Sequence, residues 1–189
     1  MSHLTTEQLE AGLDEIRRSP VGAGTLEMIV RRPAIDEREV LETGELDTRV
    51  GLVGDTWQDR PSRRMEFRAP HPEMQLNVIN ARAIALIAGE RDRWSLAGDQ
   101  LVVDLHLGTE ELPPGTRLQI GDAVIEITEI PHTGCDKFTA RFGRDAMRFV
   151  NSPVGRRLNL RGINAKVVVS GTIRLGDRIT TADELVAAD

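Results

Sequence analysis

Residues 117–130 read Arg117-Leu118-Gln119-Ile120-Gly121-Asp122-Ala123-Val124-Ile125-Glu126-Ile127-Thr128-Glu129-Ile130, and they give the clearest indication of the fold. Two apolar arms flank the dipeptide Gly121-Asp122. A glycine at the first central position of a two-residue loop favours a type II′ turn between antiparallel strands. The stretch therefore predicts a β-hairpin that pairs residues 117–120 with residues 123–130.

Short apolar segments separated by turn residues continue on both sides of this hairpin. Further strands are predicted over residues 25–32, 38–47, 74–79, 101–107, 163–169, 172–175 and 178–180. Helices are predicted over residues 5–18, 81–88, 136–150 and 183–187, with Asn80 capping the second of them.

Many short strands and few helices predict a mainly β domain that closes as an antiparallel barrel with a few surface helices. We divide the chain of 189 residues into a helix and joint over residues 1–24, a barrel domain over residues 25–180 and a tail over residues 181–189.

Composition excludes several classes of function. The net charge is −6 and aromatic residues make up only 3% of the chain, which argues against a nucleic-acid surface built on phosphate contacts and base stacking. No apolar run reaches the roughly 18–20 residues that span a bilayer. With one cysteine and no export signal at the first residues, we expect a cytoplasmic protein that binds neither nucleic acid nor membrane.

Residues 50–72 form a long connection rich in Gly, Asp, Arg and Pro. Long ordered loops in compact domains are often functional. We expect such a loop here, anchored by Trp57, Met65 and Phe67, and a disordered excursion is the alternative.

Cys135 is the single cysteine of the chain, so it has either a packing role or a reactive one. It precedes a predicted helix, and the amide groups at a helix start stabilise a thiolate, as does the nearby charge of Lys137. The thiolate is the form that accepts sulfur in transfer reactions. The alternative is a small buried apolar residue.

The order of several short motifs resembles a known family. These are residues 96–103 (LAGDQLVV), residues 118–127 (LQIGDAVIEI), Pro131 with Cys135, residues 164–167 (NAKV) and residues 171–177 (GTIRLGD). Together they are similar to the MOSC domain, the C-terminal domain of molybdenum cofactor sulfurases, which also occurs alone in bacteria. The resemblance covers residues 25–180.

Two elements differ from the pattern of the stand-alone relatives. Their His-Gly-Gly segment has its nearest match in His71-Pro72-Glu73, and their Arg-x-Pro-Cys element is replaced by His132-Thr133-Gly134-Cys135.

The resemblance implies a β-barrel of the kind found in the small barrel domain of pyruvate kinase. It implies that Cys135 carries sulfur as a persulfide, or ligates molybdenum where the molybdenum cofactor, a molybdopterin, is bound. The family is also associated with binding of pyridoxal phosphate. A cysteine desulfurase or a molybdoenzyme is the implied partner, and sulfur transfer or molybdenum-cofactor chemistry is the implied activity.

Basic residues near Cys135 suggest an anion site. Lys137, Arg141 and Arg161, with Arg156-Arg157, form a candidate cluster for an anionic group such as a pterin phosphate. A solvated charged face is the alternative, and Arg63-Arg64 is a weaker candidate of the same kind.

His132 and Cys135 form a His-x-x-Cys pair. Two ligands cannot close a structural zinc site, so none is expected. His132 is a candidate binding residue and a candidate base for the Cys135 thiol, and a turn or surface histidine is the alternative.

Three functions follow from these observations. The first is a sulfur carrier or molybdopterin-binding protein that uses Cys135. The second is a non-catalytic barrel that binds a small anion or a partner, with Cys135 buried as a packing residue. The third is an accessory domain for a separate molybdoenzyme, with the helix over residues 5–18 as a docking element.

Overall fold

The computed structural model describes residues 3–59, 61, 65–66 and 69–181. The strands are β1 (Ala23–Arg31), β2 (Glu39–Leu41), β3 (Thr43–Asp47), β4 (Gly51–Leu52), β5 (Leu76–Asn80), β6 (Leu101–Asp104), β7 (Arg117–Ile120), β8 (Ala123–Ile127), β9 (Ile163–Val169), β10 (Gly171–Arg174) and β11 (Arg178–Thr181). The α-helices are α1 (Thr6–Ala11), α2 (Leu13–Arg17), α3 (Ala81–Ala88), α4 (Asp136–Asn151) and α5 (Pro153–Arg157). Short 3-10 helices cover Thr56–Asp59, Pro72–Met74 and Arg91–Ala97.

Seven strands close into a barrel, in the order β1-β6-β5-β9-β8-β7-β11, and β11 pairs back onto β1. The predicted barrel is confirmed. One pair differs from the antiparallel prediction, because β5 and β6 run parallel with Val78 opposite Leu101. The helix α3 follows β5 directly and carries the chain back, which is the crossover that a parallel pair needs.

The predicted hairpin is confirmed as β7 and β8, with Ile120 opposite Ala123. Gly121 has a φ of +54°, as the first position of a type II′ turn requires. The second arm ends at Ile127 rather than Ile130. Thr128 still donates its backbone N–H to Asn164 O of β9 at 3.0 Å, and its hydroxyl donates to Glu73 O at 2.8 Å; the chain leaves the sheet after this residue.

The single strand predicted over residues 38–47 is two strands in different sheets. β2 extends the edge of β1, whereas β3 pairs with β10 and β4 in a separate three-stranded sheet. This small sheet packs beside the barrel, because Leu46, Leu52 and Ile173 belong to the same buried cluster as the barrel interior.

A second buried cluster lies between the barrel and its helices. It joins Leu9 of α1 and Ile16 of α2 to the aromatic residues Phe138, Phe142 and Phe149 of α4. The helix predicted over residues 5–18 is therefore two short helices that meet at Gly12, where Leu86 packs closely against the backbone. Their apolar side chains are buried against the rest of the domain.

Helix α4 has nearly the predicted bounds, and it carries a kink at Gly143, whose φ is +88°. Its first half begins directly after Cys135 and places Lys137 and Arg141 one turn apart on the same side.

The basic pair Arg63-Arg64, the anchor Phe67 and the helix predicted over residues 183–187 lie outside the described residues. Among the helices that are described, none combines the length and apolarity needed to cross a lipid bilayer.

Candidate functional site

A cavity of about 850 Å³ lies where the loop after β1, the 3-10 helix Thr56–Asp59 and the start of α4 meet. Five of the residues singled out from the sequence line it, namely His132, Cys135, Lys137, Arg141 and Arg161. Residues that are up to 29 positions apart in sequence thus contribute to one site.

The cavity is basic although the chain is acidic. Its lining contains five cationic side chains and two acidic ones, whereas the whole chain has a net charge of −6. The cations are Arg32, Arg38, Lys137, Arg141 and Arg161. A concave surface lined by one sign of charge concentrates ligands of the opposite sign, so this cavity suits an anion.

Cys135 is exposed and is the N-cap residue of α4. Its carbonyl oxygen accepts the first hydrogen bond of the helix from Thr139 N at 3.0 Å. Its side chain makes no capping hydrogen bond, and the sulfur is accessible to solvent. The predicted helix start is confirmed, and the alternative of a buried packing cysteine is wrong.

Gly134 fixes the segment before Cys135 against the end of α4. Its backbone N–H donates to Asn151 Oδ1 at 3.2 Å, and a Cβ at this position would collide with Met147 Sδ. A proline has no N–H to donate. The hydrogen bond to Asn151 therefore gives a physical reason for glycine in the position where the related motif carries proline.

Arg161 is buried in an ion pair with Asp99. Its Nη1 lies 2.9 and 2.7 Å from the two carboxylate oxygens, and its Nη2 donates to Ala97 O at 3.1 Å. The guanidinium also lies over the Phe138 ring, 4.9 Å from the centroid. Its Nε is buried and has no hydrogen-bond partner in the described part of the chain, so one N–H remains for a ligand.

The predicted grouping of Arg161 with Arg156 and Arg157 does not occur. Both of the latter lie in α5 with exposed side chains, and Arg156 Nε donates to Asn151 O at 3.1 Å. Neither belongs to the lining of the cavity, because the short helix α5 turns them toward solvent.

Arg32 and Asp55 form a second buried pair that sequence reasoning missed. Arg32 Nε and Nη2 each lie 2.7 Å from one oxygen of Asp55, and the side chains are only 3% and 0% exposed. Asp55 belongs to the long loop 50–72, so this two-pronged contact fastens that loop to the end of β1. Arg32 Nη1 also donates to Gly98 O at 2.8 Å.

Arg38 is the second cationic residue that the sequence did not reveal. Its Nε is buried, and no group among the described residues accepts a hydrogen bond from it. Burial lowers the pKa of Arg38, and the like charges of Arg141 and Arg32 lower it further. An anion bound beside Arg38 would oppose both effects, because an opposite charge favours the charged form of the guanidinium.

Lys137 and Arg141 share one carboxylate partner, Asp36. The Asp36 Oδ1 atom lies 3.4 Å from Lys137 Nζ and 3.0 Å from Arg141 Nη2. Arg141 is held in place by a further hydrogen bond from Nη1 to Leu96 O at 2.8 Å.

His132 is mostly buried at the inner wall of the cavity, so the alternative of a surface histidine is wrong. Burial lowers its pKa well below the ordinary value of 6.5, and the charges of Arg161 and Arg32 add to the effect. Its Nδ1 lies 3.4 Å from Asp99 Oδ1 without making a hydrogen bond. Burial raises the pKa of Asp99, and Arg161 opposes that rise. Because its pKa is lowered, the imidazole of His132 is neutral.

Within the described residues, no group of three or more His, Cys, Asp and Glu side chains is arranged to hold a metal ion. A metal at Cys135 would therefore take most of its ligands from a bound cofactor. His71 and His106 lie away from the cavity, where each Nδ1 accepts a backbone N–H, from Glu73 at 3.3 Å and from Gly108 at 3.2 Å.

Comparisons with known proteins agree with this architecture. The family model of the MOSC domain matches residues 65–180. The crystal structure of the YuaD protein from Bacillus subtilis is similar, with a TM-score of 0.62, 15% identity, and coverage of 84% of this chain and 95% of that one. YiiM from Escherichia coli has a TM-score of 0.55 and 15% identity, with coverage of 84% and 69%.

YiiM from Geobacillus stearothermophilus has a TM-score of 0.55 and 12% identity, covering 84% of this chain and 75% of that one. At these identities the structures establish a shared fold. A search of the curated proteins gives no significant match.

Proposed function

Because the chain belongs to the MOSC domain family, we propose that its basic cavity binds a phosphate-bearing anionic ligand of the molybdopterin class. In this proposal Cys135 is the residue that holds molybdenum or sulfur. One observation carries the proposal: a single exposed thiol and five cationic side chains line the same cavity.

The lining fits such a ligand. A phosphate needs several N–H donors and positive charge, and Arg38 and Arg161 each have a buried Nε without a partner among the described residues. Arg38, Arg141 and Lys137 would hold the anionic group, and Cys135 would supply the protein ligand to the metal. When bound, the cofactor supplies a redox-active molybdenum centre.

The other residues of the site orient these groups. The Asp99–Arg161 pair fixes the wall against which Phe138 and His132 lie. The Arg32–Asp55 pair holds the long loop at the opposite wall. A neutral His132 has one ring nitrogen able to accept a hydrogen bond at the inner end of the cavity.

A second candidate function is that of a sulfur carrier, which the exposure of Cys135 at a helix start favours. The Cys135 thiolate would attack the outer sulfur of a donor persulfide. The S–S bond of the donor breaks, the donor leaves as a thiolate, and Cys135 becomes a persulfide. No external oxidant or reductant is needed. A cysteine desulfurase would be the donor, and a molybdoenzyme the recipient.

Pyridoxal phosphate fits less well. Of the two lysines in the sequence, Lys166 lies on β9 with its Nζ 3.1 Å from Glu126. Lys137 lines the cavity, and it would have to leave its Asp36 partner to form a Schiff base.

We infer a cytoplasmic location, since a single unpaired thiol remains reduced there.

The test is purification of the full chain from cells grown with molybdate, followed by measurement of molybdenum and acid-released pterin per chain. The proposal predicts both in the wild type, loss of metal with retained pterin in Cys135→Ser, and loss of both in Arg38→Gln. Absence of molybdenum and pterin from all samples contradicts cofactor binding.

The sulfur-carrier function has its own test. It predicts a mass increase of about 32 Da on Cys135 after treatment with a cysteine desulfurase and cysteine.

A further inference from the structure

The loop between β1 and β2, residues 32–38, places the carboxylate of Asp36 on the lining of the basic cavity. Asp36 is separated by 101 and 105 residues from its partners Lys137 and Arg141. Its two ion pairs therefore join this loop to the first turns of α4 at the cavity lining. The carboxylate occupies the positive groups that a ligand anion would use.

Asp36 reaches this position through an uncommon backbone conformation. Its φ is +63°, a region that aspartate and asparagine enter more readily than other residues with side chains. The turn is closed by a hydrogen bond from Glu37 N to Ala34 O at 3.2 Å. A local turn thus directs the carboxylate toward α4.

The tip of the loop has little to hold it besides these ion pairs. Ile35, next to Asp36, is 83% exposed, and Asp36 itself is exposed to solvent. Both ends of the loop are fixed, by the buried Arg32–Asp55 pair and by the ion pair of Arg31 with Glu39 at 2.6 Å. The tip can therefore move while its ends stay in place.

We propose that Asp36 is a built-in competitor of the ligand: its carboxylate occupies Lys137 and Arg141 until an anion displaces it and the loop tip moves away. This inference rests on the proposed binding of an anion in the cavity. The two cations keep an anionic partner in both states, and Asp36 loses its two cationic partners when the ligand enters.

An exposed ion pair contributes little free energy by itself, so Asp36 competes weakly with the ligand and is readily displaced. Removing the Asp36 charge should strengthen the binding of a small anion about two- to fivefold, which corresponds to the usual strength of such pairs. The substitution Asp36→Asn would keep the backbone conformation, because asparagine tolerates a positive φ.

The test is calorimetric titration of the full chain with inorganic phosphate at low ionic strength. Asp36→Asn should bind phosphate about two- to fivefold more tightly than the wild type. The matched control is Asp59→Asn, which removes the same charge from the same lining. Asp59 is in none of the ion pairs found among the described residues, so its removal should change the affinity less.

Hydrogen exchange gives a second readout of the loop. Phosphate should speed exchange at residues 34–37 of the wild type and leave the already fast exchange of Asp36→Asn unchanged. Equal phosphate affinities of the wild type and Asp36→Asn, or equal effects of Asp36→Asn and Asp59→Asn, would overturn the inference while the anion site stands. Failure of the wild type and Asp36→Asn alike to bind phosphate would overturn the inference and the anion site together.

Discussion

Arg161 Nη1 lies 2.9 and 2.7 Å from the two carboxylate oxygens of Asp99, 62 residues away, and both side chains are almost fully buried. This pair joins the chain before β6 to the chain before β9 beneath the cavity. A buried charge that loses its partner is strongly destabilising, so the pair is important for the site and for the fold.

Asp99→Asn should therefore lower the free energy of unfolding by about 3–5 kcal/mol. The control is Asp104→Asn, which removes a partly exposed partner of Arg82 at 2.8 Å and should cost about 1 kcal/mol or less. Urea unfolding followed by the fluorescence of Trp57 and Trp94 measures both. An Asp99→Asn variant as stable as Asp104→Asn would show that Arg161 does not depend on this carboxylate.

Acidification should destabilise the protein through His132. Above the ordinary pKa of 6.5 the imidazole is neutral in the folded and unfolded chains, and it adds no pH dependence. Below 6.5 the unfolded chain gains a proton that the buried native side chain, whose pKa is lowered, does not. The free energy of unfolding then falls by up to about 1.4 kcal/mol per pH unit until the lowered pKa is reached.

His132→Gln removes this contribution and keeps a polar side chain. The raised pKa of Asp99 acts in the opposite sense, since it adds stability at low pH that is lost as the pH rises through that pKa. That contribution remains in the variant, so the difference between the two proteins isolates His132. Urea midpoints at pH 5 and pH 7.5 that shift equally in wild type and His132→Gln would refute the expectation.

Gly162 connects Arg161 to β9 and has a φ of +98°. A Cβ there would collide with the carbonyl oxygen of Val78 on the neighbouring strand β5. Gly162→Ala should therefore lower the free energy of unfolding by about 1–3 kcal/mol more than the strain of a positive φ does by itself. Gly115 supplies the control, because its φ is +88° and a Cβ added to it would meet no atom within 4 Å. Thermal unfolding of both alanine variants should show the difference, and equal midpoints would argue against the close approach of the strands.

Arg38 should dominate the binding of a simple anion. Arg38→Gln is expected to weaken phosphate binding about 10- to 150-fold, since a hydrogen bond to a charged group contributes about 1.5–3 kcal/mol. Arg156→Gln, outside the cavity, removes the same charge and should leave the affinity within a factor of about two. Calorimetric titration at two salt concentrations measures both. Matching losses in the two variants would mean that only the net charge of the protein matters.

The strands and the barrel could be predicted because local patterns determine them. The hairpin of β7 and β8 depends on one Gly-Asp turn, and α3 depends on the Asn80 cap, whose Oδ1 accepts a hydrogen bond from Ala83 N at 2.8 Å. The parallel pairing of β5 with β6 could not be predicted, because it depends on the path of the chain through α3.

The candidate site was only partly accessible from sequence. Cys135 and its neighbours Lys137 and Arg141 follow one another in a helix, so proximity along the chain revealed them. Arg32 and Arg38 enter the cavity from a loop that is about 100 residues distant from Cys135 in sequence, and their partners become visible only when the barrel closes. Asp55 lies in the predicted loop 50–72, but its contact with Arg32 is a tertiary one.

The alkylation of Cys135 tests most directly whether the thiol and the cations serve the same anionic ligand. The measurement is the ratio of its rates with iodoacetate, an anion, and with neutral iodoacetamide, compared with that ratio for a short unstructured peptide containing the same cysteine. The same thiolate attacks both reagents and displaces iodide from each, so the ratio reports the electrostatic field around the sulfur.

The wild-type ratio should exceed the ratio of the peptide by about fivefold or more, because a nearby unit charge contributes ~1 kcal/mol or more at a protein surface. Arg38→Gln combined with Lys137→Gln should lower the ratio toward that of the peptide, while Arg156→Gln combined with Arg157→Gln should leave it high. A wild-type ratio equal to that of the peptide would contradict the account.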